Sequence, residues 1–223
     1  MNKTRFLIFI MLCSTGVNAQ SITELKFPYH SGYTLNLKGT MTEVLKDGSK
    51  QIDSSFTFYY INKELDVKNE SWANFQCTSV SGNQRNSYES PLLVNANGMC
   101  YRAPDKKPTK KNLVQAISLP LVEGKEWTTI VEGNSASCKC ISVHTFITST
   151  KGDIDCFCIQ TIALLEKSKG YEYKMKVLEF YNQDIGKVAY NSYYYYEKPN
   201  GEVLNVMEVK EVVSDYGFKG KNE

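Results

Sequence analysis

The stretch from Glu179 to Val213 reads EFYNQDIGKVAYNSYYYYEKPNGEVLNVMEVKEVV, with two apolar runs flanking an Asn200-Gly201 pair. Asn-Gly between alternating apolar runs is the strongest short-range signal of a β-hairpin. Taken as a two-residue turn, it sets Lys198 opposite Val203. Counting outward, Tyr196 meets Asn205, Tyr194 meets Met207, Ser192 meets Val209, Tyr190 meets Glu211 and Val188 meets Val213. Strand side chains alternate between faces, so all of these share one side of the ribbon, and that side is mostly apolar. The other side pairs Tyr195 with Val206, Tyr193 with Glu208 and Asn191 with Lys210, a face that meets water or a wet groove.

The same period-two pattern recurs upstream. Tyr33, Leu35, Leu37 and Met41 fall on odd positions, and Ile52, Phe56, Phe58 and Tyr60 on even ones. An Asp47-Gly48 turn then sets Leu35 opposite Tyr60, Leu37 opposite Phe58 and Gly39 opposite Phe56, with both apolar sets on one face. From Asn62 to Leu92 the pattern fades, with Trp72 and Phe75 as anchors and Ser81-Gly82-Asn83 as a turn. Leu92 to Val94 and Met99 to Arg102 make a weak strand pair around Asn95-Ala96-Asn97-Gly98. Leu113 to Ser118 reads as a short turn of helix. Strands follow from Trp127 to Val131, Cys138 to Ile147, Ile154 to Leu165 and Tyr171 to Val177. Strands joined by short turns without βαβ alternation predict a mostly all-β fold, a strongly curved antiparallel meander shaped as a half-barrel or β-clam.

Lys3 and Arg5 precede an apolar run from Phe6 to Leu12, and Val17-Asn18-Ala19 supplies small residues at a cleavage site. This pattern predicts a signal peptide over residues 1–19, cleaved near Ala19, and a periplasmic or extracellular mature chain. Residues 20–223 then form a single β domain, with 20–102 and 113–213 as sheet halves. They are joined by a basic connector, 103–112, that carries Lys106, Lys107, Lys110 and Lys111 with Pro104 and Pro108. No later run is long and apolar enough for a transmembrane segment. Removing Lys3 and Arg5 from 26 basic residues leaves 24 against 24 acidic ones. A balance near zero gives no electrostatic reason to expect a nucleic-acid partner.

Six cysteines follow the signal peptide, Cys77, Cys100, Cys138, Cys140, Cys156 and Cys158, and an even number in an exported chain predicts disulfides. Register decides between pairings. A Lys151-Gly152 turn sets Cys156 opposite Ile147 and Cys158 opposite Thr145, which keeps the two Cys-x-Cys pairs apart. A wider loop over Thr145 to Lys151 would bridge Cys138 to Cys158 and Cys140 to Cys156, and Cys77 to Cys100 is a further candidate. Zinc is disfavoured, because residues i and i+2 of a strand lie about 6 to 7 Å apart, whereas sulfurs bound at about 2.3 Å around tetrahedral zinc lie under about 4 Å apart.

Only His30 and His144 occur, which excludes a multi-histidine metal centre. His144 near the cysteines suggests a Cys-His nucleophile pair, and Asp153 with Asp155 an acid pair. A histidine satisfied within the sheet and a solvated turn are the simpler readings. The Gly-x-Ser-x-Gly elbow, His-Glu-x-x-His and phosphate-cradling glycine loops are absent. No catalytic, metal or cofactor residues are therefore assigned.

Pro120-x-x-x-Gly124-x-x-Trp127, Lys151-Gly152-Asp153-Ile154-Asp155-Cys156 and Phe180-Tyr181-Asn182-Gln183-Asp184-Ile185-Gly186-Lys187-Val188 together resemble, in order, landmarks of the TapB-like family of uncharacterised exported Gram-negative proteins. Asp153 and Gln183-Asp184-Ile185 depart from that pattern. The resemblance covers residues 113 to 213 and implies a curved antiparallel sheet like the LolA/LolB β-clam, which holds acyl chains. It carries no catalytic residues. The resulting expectation is a non-enzymatic envelope protein that binds an apolar or lipid-like small molecule, with Leu35, Phe58, Tyr190, Tyr194 and Met207 facing the ligand. The alternative is a structural or adhesion module that binds an envelope protein through a strand edge or the half-polar tyrosine face.

Overall fold

The computed structural model describes residues 21–67, 70–102 and 113–218 of the chain, so the expected signal peptide and basic connector lie outside the described residues. Twelve strands follow in order: β1 (Tyr33–Val44), β2 (Lys50–Val67), β3 (Glu70–Ser81), β4 (Gln84–Asn95), β5 (Gly98–Arg102), β6 (Leu113–Ser118), β7 (Glu126–Val131), β8 (Asn134–Ser149), β9 (Gly152–Lys167), β10 (Glu172–Asn182), β11 (Gly186–Glu197) and β12 (Val203–Phe218). All pair antiparallel in one sheet, ordered β6-β5-β4-β3-β2-β1-β12-β11-β10-β9-β8-β7. The expected curved meander forms, and because β1 pairs with β12 it curls into a nearly closed barrel whose seam lies between β6 and β7. Leu113 to Ser118, read as a helical turn, is instead strand β6, held by ladder pairing to β5.

The two glycine turns set the faces. Neither is a two-residue turn. Gly201 N–H donates to the Lys198 carbonyl at 2.9 Å, Lys198 N–H donates to Glu202 O at 2.9 Å, and Gly201 has φ +81°. Gly48 repeats the arrangement with Leu45 and Ser49, at φ +80°. This is a type I turn closed by a left-handed glycine, a three-residue loop that moves the register by one.

In the first hairpin nothing compensates. Leu35 pairs with Tyr59, Leu37 with Thr57 and Gly39 with Ser55, instead of Tyr60, Phe58 and Phe56. A one-residue slip exchanges faces, so Leu35, Leu37, Tyr59 and Ile61 are buried inward. Phe56, Phe58 and Tyr60 take the other face with Ile52, which is 66% exposed. In the last hairpin a bulge at Val206 restores the expected register: Tyr190 meets Glu211, Ser192 meets Val209 and Tyr194 meets Met207. Beyond the bulge Tyr195 meets Asn205 and Tyr196 meets Leu204, which corrects the outermost pairs.

The expected disulfides do not form; all six cysteines are free and buried. The β8–β9 turn pairs Ser149 with Gly152, and two irregularities set Cys138 opposite Thr161, Cys140 opposite Ile159, Ser142 opposite Cys158 and Thr145 opposite Cys156. No cysteine faces another across the ladder, as a bridge there requires. Cys77 and Cys100 lie on β3 and β5, with β4 between them.

One end of the barrel is plugged by residues before β1. Ile22 and Leu121 exchange backbone hydrogen bonds at 2.9 and 2.8 Å. The Gln183 amide then brackets the segment, accepting from Lys26 N–H at 2.9 Å and donating to Glu24 O at 3.0 Å. Leu25, Phe27 and Tyr29 alternate inward and are buried. Phe27 stacks on Tyr181 and Phe157 at centroid distances of 5.6 and 6.3 Å, and Tyr29 meets Phe75 at 5.6 Å. These rings form the largest core cluster, and burial of each contributes roughly 1.5–3 kcal/mol.

Gly39 carries the closest approach in the wall, since a Cβ there would overlap the Lys210 carbonyl of β12. Gly39→Ala is expected to cost about 3 kcal/mol or more by forced overpacking. Gly48→Ala, in open space at positive φ, is expected to cost only about 1–2 kcal/mol. Urea denaturation of both variants checks the order.

Candidate functional site: the inner wall of the barrel

In an up-and-down meander the hairpin loops alternate between two ends. The plug closes one end, and the loops at 45–49, 132–133 and 198–202 ring the other. A bulge in β11 shapes the wall between them. Phe180 pairs with Ala189 but Tyr181 pairs with Lys187, so Val188 is the extra residue and both Lys187 and Tyr190 point inward.

Lys187 Nζ meets Glu179 Oε1 at 2.5 Å, with side chains 18% and 23% exposed. It also lies 5.6 to 5.8 Å from the ring centres of Tyr59, Tyr190 and Tyr181. Burial works against its charge, yet Glu179, Tyr181 and Tyr59 hold its titration well above the usual lysine value. Tyr29 of the plug accepts the Lys187 backbone N–H at 3.2 Å, and burial pushes its phenol up to about 12. A second inward carboxylate, Glu211, is 2% exposed and takes a short hydrogen bond from Ser55 Oγ, which reaches it across the bare Gly39 backbone.

Above these charges the wall is aromatic. Tyr171 and Tyr173 each lie 4.9 Å from Tyr196, and Tyr173 lies 6.3 Å from Tyr194, so four rings run from the β9–β10 loop inward. Tyr190 and Tyr194 lie against the small cluster of Ala136, Ala163, Met175 and Val177. Ser192 Oγ and Thr129 Oγ1, at inward positions on the same wall, are buried without geometric hydrogen-bond partners.

Of the expected ligand-facing residues, the structure brings together Tyr190, Tyr194 and Met207, all inward and partly exposed. Leu35 is inward but sealed in the plug cluster at 1% exposure. Phe58 lies on the opposite face, because of the slipped register of the first hairpin. The sequence reading missed Lys187 and Glu179 as a pair, since only the bulge aims Lys187 inward. It also missed the plug, whose signal was the alternation Leu25, Phe27, Tyr29.

His144 Nδ1 sits 2.9 Å from Asp155 Oδ2, with both side chains about half exposed, so its partner is a carboxylate. The thiols are poor nucleophiles: burial, the largest cause in each case, pushes Cys138 up to about 11 and Cys156 and Cys158 up to about 12. Among the described residues no three His, Cys, Asp or Glu side chains converge as a metal set.

No family model matches the chain, and no curated protein matches it significantly. Two solved structures are similar to it. A Bacteroides fragilis protein, described as a candidate exported protein with a YmcC-like fold, superposes with a TM-score of 0.53 at 14% identity, over 87% of this chain and 99% of that one. The fold is YmcC-like. A Parabacteroides distasonis protein, described as a candidate lipoprotein, gives 0.45 at 13% identity over the same shares.

Breaking the buried pair is expected to be costly. Lys187→Met strands Glu179 and should lower stability by about 3–5 kcal/mol, and adding Glu179→Leu should recover much of it. Because the Lys187 titration is raised, its contribution is full below the unfolded value of about 10.4, falls as pH rises from there, and is lost once pH passes the folded one. The deficit of Lys187→Met in urea melts should therefore stay level between about pH 6 and about pH 9. Separately, iodoacetamide without reductant should label all six cysteines only after denaturation, read by intact mass.

Proposed function

We propose that this is a non-enzymatic, exported envelope protein that holds an apolar or lipid-like molecule in its barrel cup, reached from the tyrosine-ringed end. The observation that carries the reading is the partial exposure of Tyr190, Tyr194 and Met207 on an inward wall above an aromatic floor. Ligand sites are concave and mostly apolar with a few placed polar groups, and Lys187, Glu179 and Ser192 fill that role. Export is supported by the Lys3 to Ala19 pattern and by the description of the Bacteroides fragilis protein of similar fold. The TapB-like resemblance of residues 113 to 213 points the same way.

A second reading has its own observation. Among the described residues β6 and β7 have no ladder partner at the seam, and Ile130 on β7 is 44% exposed. An envelope protein that adds a strand there would make this a structural or adhesion module.

Native mass spectrometry of protein purified from its own envelope separates the two. The cup reading expects a mass excess of one small molecule, lost on organic extraction and much reduced in Met207→Trp, which narrows the wall. Ligand-free protein that takes up no extracted lipid overturns it.

A further inference from the structure

The charges turned toward the cup are unbalanced. Inward register positions include Glu43 and Asp53 toward the loop-ringed end, and Glu179 and Glu211 deeper on the wall. Glu132, exposed in the β7–β8 turn, lies at the same end of the barrel as the outermost rings of the aromatic ladder. Among the described strand positions Lys187 is the one inward base, and Glu179 already neutralises it at 2.5 Å. Glu211 is left buried with a hydroxyl, rather than a cation, as its hydrogen-bond partner.

The rest of the wall agrees in sign. Burial raises the phenols of Tyr173, Tyr190 and Tyr194, so they stay neutral and present ring faces. Such faces attract cations and repel anions through the ring quadrupole.

We infer that the cup selects amphipathic molecules with a cationic head group and an apolar tail, and discriminates against carboxylate-headed ones. This rests on the cup proposed above and names its ligand class. The tail lies against Tyr190, Tyr194 and Met207, which cover the packed Met175, Ala163 and Ala136, while the head group meets the tyrosine ladder near Glu132, Glu43 and Asp53 at the open end. An acidic head would lie against those carboxylates with no free base among the described wall residues to receive it.

Calorimetric titration with dodecyltrimethylammonium and with dodecanoate, both below their micelle concentrations, tests the inference with one chain length and two charges. The cation is expected to bind at least about tenfold more tightly. That preference should shrink several-fold in Glu132→Gln and in Tyr194→Ala, at an exposed and a partly exposed position, with folding checked by circular dichroism and urea melting. Equal or tighter binding of dodecanoate overturns the charge selectivity and leaves the cup standing. If neither probe binds folded protein, the cup and the inference both fall.

Discussion

The structure depends on the two-residue period of the pleat and on how many residues each loop inserts between paired strands. One extra loop residue exchanges every side chain between core and surface. The turns at Gly48 and Gly201 both insert it. In the first hairpin the slip stands, so the aromatic row Phe56, Phe58, Tyr60 faces away from the cup and the smaller Ser55 and Thr57 line it with Tyr59. In the last, the Val206 bulge cancels the slip and sets Met207, Val209 and Glu211 on the face of the inward tyrosines. Two chemically similar turns thus give opposite results, and the asymmetry places small residues on one wall of the cup and rings on another.

A buried ion pair is weak evidence of stability, since desolvation offsets most of its attraction. Lys187 and Glu179 make more sense as a register device. The bulge at Val188 is needed to aim Lys187 inward, and once it does, the ammonium has a carboxylate and three rings around it. A ladder without that bulge would leave Glu179 buried and unpaired, a cost of several kcal/mol against the wrong register. The pair also touches the plug, because Tyr29 lies on the bare Gly186 backbone, where a Cβ would overlap its ring. Plug and charge pair therefore stabilise the same β10–β11 turn.

The strands themselves were legible, because apolar residues alternate over most of them and Gly, Asn and Asp mark the turns. The faces were less so. Asn-Gly and Asp-Gly suit both a two-residue turn with two positive φ values and a type I turn ending in a left-handed glycine, and these differ by one residue of register. Pro199 was the usable hint, since its fixed φ favours the first central position of a type I turn. Asn200 Oδ1, which takes Glu202 N–H at 3.0 Å, and Asp47 Oδ1, which takes Ser49 N–H at 2.9 Å, lock the choice, but only folded geometry reveals them. The bulges at Val188 and Val206 and between Cys140 and Thr145 have no local signature. They decided the cysteine pairing and the inward lysine, so those readings failed or went unmade. Tyr190, Tyr194 and Met207 came together because the bulge happened to restore the simplest count.

The position of the seam follows from the same topology. A meander that closes through β1 and β12 leaves its break between strands adjacent in sequence, β6 and β7, so a short connection spans it. That connection is tied down at the plugged end. Leu121 pairs with Ile22, Lys125 Nζ donates to Ser118 O and Pro120 O at 3.0 and 2.9 Å, and Gly124 and Lys125 exchange backbone hydrogen bonds with Cys140. Farther along, the Tyr101 hydroxyl of β5 donates to Ile130 O of β7 across the break. Among the described residues the seam is thus tied by backbone ladder and lysine bonds where the plug lies and by a phenol near the other end, beside Thr129, so the closure of the barrel rests on the plugged end more than on the open one.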